Sequence, residues 1–523
     1  MSSPASDRLS WGDALFLYLE RDGMPMHVAS VFIFEGEISR ADCLAAVDAK
    51  LPLIPRYRQR LATPPFNVGF PAWEFDPDFD LRNHVREARL KHGTEAELKQ
   101  LAGKILSVRL DRGRPLWDLT IVRGLKGKRT AMIVRLHHCL ADGIAGVEMI
   151  NVLMDPTPLA PLPPRAGKRP KPEPYSAPPP RDPGMLLIDG LIGAYGNLVQ
   201  RALTAQGEML TLAVQMVASG GSQMTELVRL LPELAAAAEP LPFNVICRGP
   251  QKFAWAELPL AAIKQVKEAL GATVNDVALT VVAAAVQRYS ELRGADLAGR
   301  SLRIMMPVNV RPNGDGGLGN NISLVPVTVP LDLRDLRQLL AAVHDKTEFL
   351  KKAHIAEFVR LAGTLAGTAP APLQAAVLPL LTQLPLTVWN MVCTNVRGPE
   401  LPLFMLGRKL LHWYPYVPIG GDMAVNCAIL TYDGTAYFGF SGDVKGAPDL
   451  SRLEKFLAAA FADLRAASGI AVPSRKRARP KKTKSAAAKA VTVPFTGRAA
   501  APAPEPGKKV EYRQKPLAAT AGA

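Results

Sequence analysis

No stretch constrains this chain more than Arg135-Leu136-His137-His138-Cys139-Leu140-Ala141-Asp142-Gly143. Before it, Ala131 to Leu136 runs apolar through Met132, Ile133 and Val134, which predicts a buried strand. After it, Val147, Ile150 and Met154 recur at helical spacing, and Asp142-Gly143 is a turn signal between the two. Two adjacent histidines therefore stand where a strand gives way to a helix. Successive strand residues point to opposite faces, so only one ring can look into a given cavity. A histidine titrates near neutral pH, which makes His138 a candidate general base toward a hydroxyl or amine. Taken alone, a His-His pair reads more readily as two buried rings satisfied by backbone groups.

At 523 residues the chain calls for two or three domains. With 48% hydrophobic and 21% charged residues, it has the composition of a globular protein. The net charge of +16 resembles a nucleic-acid signature until it is located. From Ser474 onward there are 13 Lys and Arg against 2 Asp and Glu, so the first 473 residues keep only +5. Cysteines 43, 139, 247, 393 and 427 are scattered without a CxxC pair, which argues against a disulfide framework and a structural zinc site. Met1 to Ser10 is polar, with no secretory h-region. No uninterrupted apolar run reaches the roughly 18 residues of a spanning helix. The nearest, Ala371 to Trp389, is broken by Pro372, Pro379 and Pro385. The expectation is a cytoplasmic protein that touches membranes without spanning them.

Four segments follow from the pattern. Residues 1–154 alternate strands and helices, which predicts an α/β layered domain ending in the His-His stretch. Residues 155–183 hold 12 prolines in 29 positions and predict an extended linker. Residues 184–470 open with a largely apolar helical segment, part of it a candidate exposed apolar lip near Met209 to Val217. They continue through a helix at Leu260 to Leu270, a helix capped by Thr273, and strands at Leu302 to Val310, Ile322 to Val329 and Val388 to Val396. Leu410 to Val417, Met423 to Tyr432 and Thr435 to Gly442 read as successive strands, and Leu450 to Ala467 as a closing helix. Residues 471–523 form a basic Ala-, Pro- and Lys-rich tail, expected to be disordered. Gly314 to Gly319 lacks the Lys-Ser/Thr ending of a phosphate loop.

His-His-x-x-x-Asp-Gly between a strand and a helix resembles the active-site signature of the CoA-dependent acyltransferase superfamily, which includes chloramphenicol acetyltransferase, plant acyltransferases and condensation domains. Further segments narrow the likeness: Leu9 to Glu20, then Pro25-Met26-His27-Val28, Pro115-Leu116-Trp117-Asp118, Asn275-Asp276-Val277 and Asn395-Val396-Arg397-Gly398-Pro399. Their order and spacing, from about residue 9 to 467, resemble the bacterial wax ester synthase/acyl-CoA:diacylglycerol acyltransferase family. The resemblance implies an α/β (α+β layered) fold of two chloramphenicol-acetyltransferase-like domains with a tunnel between them. It implies His138 as catalytic base and His137 as its steric support. Asp142 would be a structural aspartate paired with an arginine, for which Arg58 is the candidate, and Gly143 would permit the tight entry into the next helix.

Trp117, Asp118, Asn275, Asp276, Thr394 and Asn395 are candidates for the tunnel wall or for oxyanion stabilisation. Each has a plainer reading as a buried aromatic, a cap or a turn. Cys139 beside two histidines invites a Cys-His nucleophile reading. On the strand it would point away from His138, and it is assigned to packing. His27 and His84 read as structural, and no cluster has metal spacing. The implied reaction moves a fatty acyl group from acyl-CoA to diacylglycerol or a long-chain fatty alcohol, with no metal or redox cofactor. Peripheral contact with the inner membrane or lipid bodies is expected, and nucleic acid is not. Two other readings remain: a lipid-surface binding protein of the same fold, and a free-standing condensation-type acyltransferase.

Overall fold

Every residue from Thr130 to His137 is buried, Arg135 and His137 included, so this stretch can only be an inner strand. Arg129–His137 lies at the centre of a six-stranded sheet, antiparallel to His27–Glu35 on one side and Trp117–Leu125 on the other. Val85–Arg89 extends the sheet in parallel beyond Trp117–Leu125. On the opposite edge Arg408–Tyr416 pairs with His27–Glu35, and Phe404–Met405 finishes it. A computed structural model of the chain describes residues 8–140, 143–158, 182–218, 237–309, 322–352 and 355–470.

A second six-stranded sheet runs Gln251–Pro259, Thr435–Asp443, Val425–Tyr432, Met391–Arg397, Ser301–Asn309 and Ile322–Pro330. Met391–Arg397 is parallel to both its neighbours, and the other pairings are antiparallel. Helices Leu260–Leu270, Val274–Leu292, Leu336–Lys352 and Arg452–Ala467 contribute apolar faces to its core. Thr273 opens Val274–Leu292 with a capping box: its hydroxyl accepts from Asp276 N–H, and the Asp276 carboxylate accepts from Thr273 N–H.

The three successive strands expected over Leu410 to Gly442 are present as Arg408–Tyr416, Val425–Tyr432 and Thr435–Asp443, and the first of them belongs to a different sheet from the other two. Arg408–Tyr416 crosses to the first sheet, where it pairs antiparallel with His27–Glu35. Trp413 is buried, its ring 5.1 Å from that of Phe32, and its indole N–H donates to Ser30 Oγ at 2.9 Å. The crossing also brings the two sheets into contact. A Cβ on Gly439 would lie 1.8 Å from the Pro415 carbonyl oxygen, so only glycine allows that approach.

Outside the two cores, Pro183–Ala218 forms one 36-residue helix. Met185, Ile188, Ile192, Tyr195 and Leu203 are exposed on it, Ile192 to 67% and Tyr195 to 73%. Helix Ala371–Leu381 similarly exposes Leu373 and Leu380. Among the described residues, no single helix is long and apolar enough to cross a membrane. Most of the proline-rich linker and the whole basic tail lie outside the described residues.

Candidate active site

His138 follows directly on the central strand. Its N–H donates to the Met26 carbonyl at 2.8 Å. Its ring stacks on Phe16, with centroids 3.7 Å apart and planes at 6°. Phe16 belongs to helix Trp11–Leu19, which Ser10 opens with a capping box to Asp13. The histidine is thus clamped at its backbone by one N-terminal segment and at its ring by another.

His138 lines a cleft between the two sheets. Val28 to Ser30, Val134, Leu136 and Pro415 to Val417 form its wall from the first sheet. Thr394 to Val396 and Ala428 to Leu430 face them from the second, and Gly146, Val147 and Ile150 close it from helix Gly143–Leu153. The walls are mainly aliphatic, with few polar groups among them, as suits a long hydrocarbon chain bound next to a reacting head.

His137 is fully buried and turned elsewhere. Its Nδ1 accepts from the Cys139 N–H at 3.2 Å, so the ring proton sits on Nε2, which faces Glu20 Oε1 at 3.5 Å. Burial lowers the His137 pKa, against the pull of the Glu20 carboxylate. Glu20 Oε1 also accepts from the Met26 N–H at 3.0 Å, while Oε2 accepts from Arg112 Nε and Nη2 at 3.1 and 2.9 Å. Burial works to raise the Glu20 pKa, but His137, the Met26 amide and Arg112 together hold it down at about 2.

The pattern of residues does not single out Glu20, Arg112 or Phe16. One signal was present: Glu20 is the C-cap of its helix, where the helix dipole disfavours negative charge. A carboxylate there needs other partners.

The remaining candidates divide. Thr394 and Asn395 line the cleft. Asn275 stands behind them, its Oδ1 accepting from Asn395 Nδ2 at 3.1 Å. Asp276 lies in the core, where besides its cap it meets His344 Nδ1 at 2.9 Å and accepts from Thr347 Oγ1 at 2.7 Å. It is a joint between two helices and does not reach the cleft. Trp117 and Asp118 do not line the cleft either. The Trp117 indole donates to the Tyr57 carbonyl at 2.8 Å and stacks between Tyr57 and His84. Asp118 is held by a fork from Arg135, Nε at 2.8 Å and Nη2 at 2.5 Å. Of the two readings open for them, the structure shows the plainer one: Trp117 packs between Tyr57 and His84, and Asp118 pairs with Arg135 on the neighbouring strand.

Cys139 is buried away from the cleft, and burial raises its thiol pKa well above the ordinary value, the reverse of what a nucleophile needs. His27 and His84 are buried, with pKa values lowered chiefly by burial. Gly143 starts the helix after the turn. Asp142 lies outside the described residues, and with it any pairing to Arg58.

Comparison with known proteins points one way. The wax ester synthase/diacylglycerol acyltransferase catalytic domain matches residues 9–278, and the WS/DGAT C-terminal domain matches residues 318–465. A probable diacylglycerol O-acyltransferase of Mycobacterium tuberculosis is 30% identical over 476 residues, covering 88% of this chain and 96% of its own. A second from the same organism is 31% identical over 480 residues, covering 89% and 100%. Among solved structures, the wax ester synthase/diacylglycerol acyltransferase of Marinobacter aquaeolei VT8 superposes with a TM-score of 0.59 at 24% identity, covering 88% of this chain and all of that one. The first condensation domain of the calcium-dependent antibiotic synthetase gives 0.53 at 15% identity, covering 88% and 96%. These structural likenesses concern the fold.

Proposed function

The chain belongs to the wax ester synthase/diacylglycerol acyltransferase family, and from that membership we propose that it transfers a fatty acyl group from acyl-CoA to the hydroxyl of diacylglycerol or a long-chain alcohol. The observation that carries the proposal is the placement of His138 in the lining of a mainly aliphatic cleft between two sheets. His138 takes the proton of the acceptor hydroxyl as its oxygen attacks the thioester carbonyl. The tetrahedral oxyanion then collapses, the C–S bond breaks, and His138 returns the proton to the departing thiolate. Ester and free CoA result.

The reaction so written needs no acyl-enzyme and no metal or redox group, because both substrates meet at one base. Thr394 and Asn395, on the wall contributed by the second sheet, are the donors we assign to the developing oxyanion. Asn275 fixes the Asn395 amide. The apolar outer face of Pro183–Ala218 and Ala371–Leu381 is the part we assign to a lipid surface, from which a water-insoluble acceptor would be drawn.

Purified protein given labelled palmitoyl-CoA with diacylglycerol or hexadecanol tests the reading. Turnover is expected with at least one acceptor, and His138→Ala is expected to lower it by about 10²- to 10⁴-fold. Turnover that survives His138→Ala contradicts the mechanism. No turnover with either acceptor contradicts the proposed activity.

A further inference from the structure

Helix Gly143–Leu153 carries a glycine in its interior, Gly146, that no backbone requirement explains. It does not adopt a positive φ. Glycine is the least favourable helix residue after proline, so alanine is the cheaper choice wherever it fits. Here it fits. A Cβ on Gly146 would meet only Leu136 Cδ1 at 3.9 Å and Val28 Cγ2 at 4.0 Å, ordinary contact distances. Close packing therefore does not forbid a side chain at this position.

Gly146, Leu136 and Val28 all line the cleft that holds His138, so a side chain at 146 would take up cleft volume. Val147 and Ile150, on the same helix, line it too. We propose that Gly146 sets the bore of the fatty-chain channel beside His138, and that its missing side chain selects for a long unbranched chain. The inference rests on the acyl-transfer reading. The chain in question belongs either to the acyl donor or to the alcohol acceptor, since both present the same hydrocarbon to an aliphatic wall.

The test is equilibrium binding by calorimetry, which is independent of turnover. One arm titrates acyl-CoAs from C8 to C18, the other n-alcohols from C6 to C12, into wild type, Gly146→Ala and Gly146→Leu. In wild type, affinity for the chain that runs past Gly146 should rise by roughly fourfold per methylene, up to the length the channel holds. In Gly146→Leu that rise should stop several carbons earlier in one arm and be unchanged in the other, which identifies the chain. Gly146→Ala should show a smaller shift of the same sign and keep or raise the melting temperature, so it serves even where Gly146→Leu fails to fold.

Length profiles identical to wild type in both arms, in folded variants, overturn the inference. A shift in profile with no acyl transfer by wild type would sink the proposed function and with it the assignment of the chain to donor or acceptor, while the bore set by Gly146 would stand. Transfer with unshifted profiles would do the opposite.

Discussion

Glu20 and His137 face each other across 3.5 Å inside the protein, with neither side chain more than 1% exposed. The pair braces the residue next door. Glu20 Oε1 holds the Met26 N–H, and the Met26 carbonyl holds the His138 N–H. His137 Nδ1 accepts from Cys139, on the other side of His138. The carboxylate thus sets both flanks of His138 without touching the cleft, which makes Glu20 a positioning residue.

Glu20→Gln keeps an acceptor for Met26 but loses the charge that meets Arg112. It should lower kcat by about ten- to a hundredfold, the scale of a small misplacement of a reacting group, with KM nearly unchanged. Glu20→Ala removes both and should also lower stability by about 2–3 kcal/mol, somewhat under the value for a wholly buried pair because Arg112 is 43% exposed. Steady-state kinetics and denaturant midpoints measure the two effects. Wild-type kcat in Glu20→Gln would remove the residue from this role.

Stability should fall on the acid side, from a definite point. Burial holds the pKa values of His27, His84 and His137 below the ordinary 6.5. Below that value the unfolded chain binds protons that the native state refuses, so stability is full above about pH 6.5 and declines as pH drops through it. Glu20 adds to the same slope further down. Its pKa of about 2, against 4.5 in the open, gives stability present above 4.5 and lost as pH falls toward 2.

His344 works the other way, since its hydrogen bond to Asp276 raises its pKa. Its contribution is present below 6.5 and fades as pH rises through the raised value, but a ring one-third exposed counts for little. Each unmatched proton steepens the decline by about 1.4 kcal/mol per pH unit. Melting temperatures at pH 7.5, 6.5, 5.5 and 4.5 should therefore descend. A flat or rising series would contradict the buried neutral histidines.

Much of this site can be read in one dimension, and the reason is local. His137, His138 and the turn after them belong to one strand-to-helix junction, whose apolar run and turn residues fix both elements. The caps at Ser10 and Thr273 are equally local, each a hydroxyl three residues before its acidic partner. What escapes is long-range. Glu20 meets Arg112 across 92 residues, and Trp413 meets Ser30 across 383. The strand Arg408–Tyr416 is followed directly in the chain by two strands of the second sheet, and its pairing with His27–Glu35 in the first is a contact of the same long range. Trp117 and Asp118 stayed open between channel and structural roles for the same cause: their type suited both, while their partners, Tyr57 and Arg135, lay elsewhere in the sequence.

The outer face of Pro183–Ala218 yields a prediction separate from catalysis. Ile188 is 52% and Ile192 67% exposed, so replacing them barely disturbs the cores. A charge at either position would have to enter the lipid boundary with its helix. Ile188→Glu and Ile192→Glu should each weaken binding to diacylglycerol-containing vesicles by about tenfold or more, given roughly 1.5–3 kcal/mol for burying such a side chain. Melting temperature and turnover on a short, water-soluble acceptor should stay near wild type. This apolar contribution should persist in high salt, whereas any contribution from the basic residues after Ser474 should decay as ionic strength rises. Cosedimentation at low and high salt, with and without residues 474–523, separates the two. Vesicle binding by Ile188→Glu and Ile192→Glu that matches wild type at both salt concentrations would mean this face does not meet lipid.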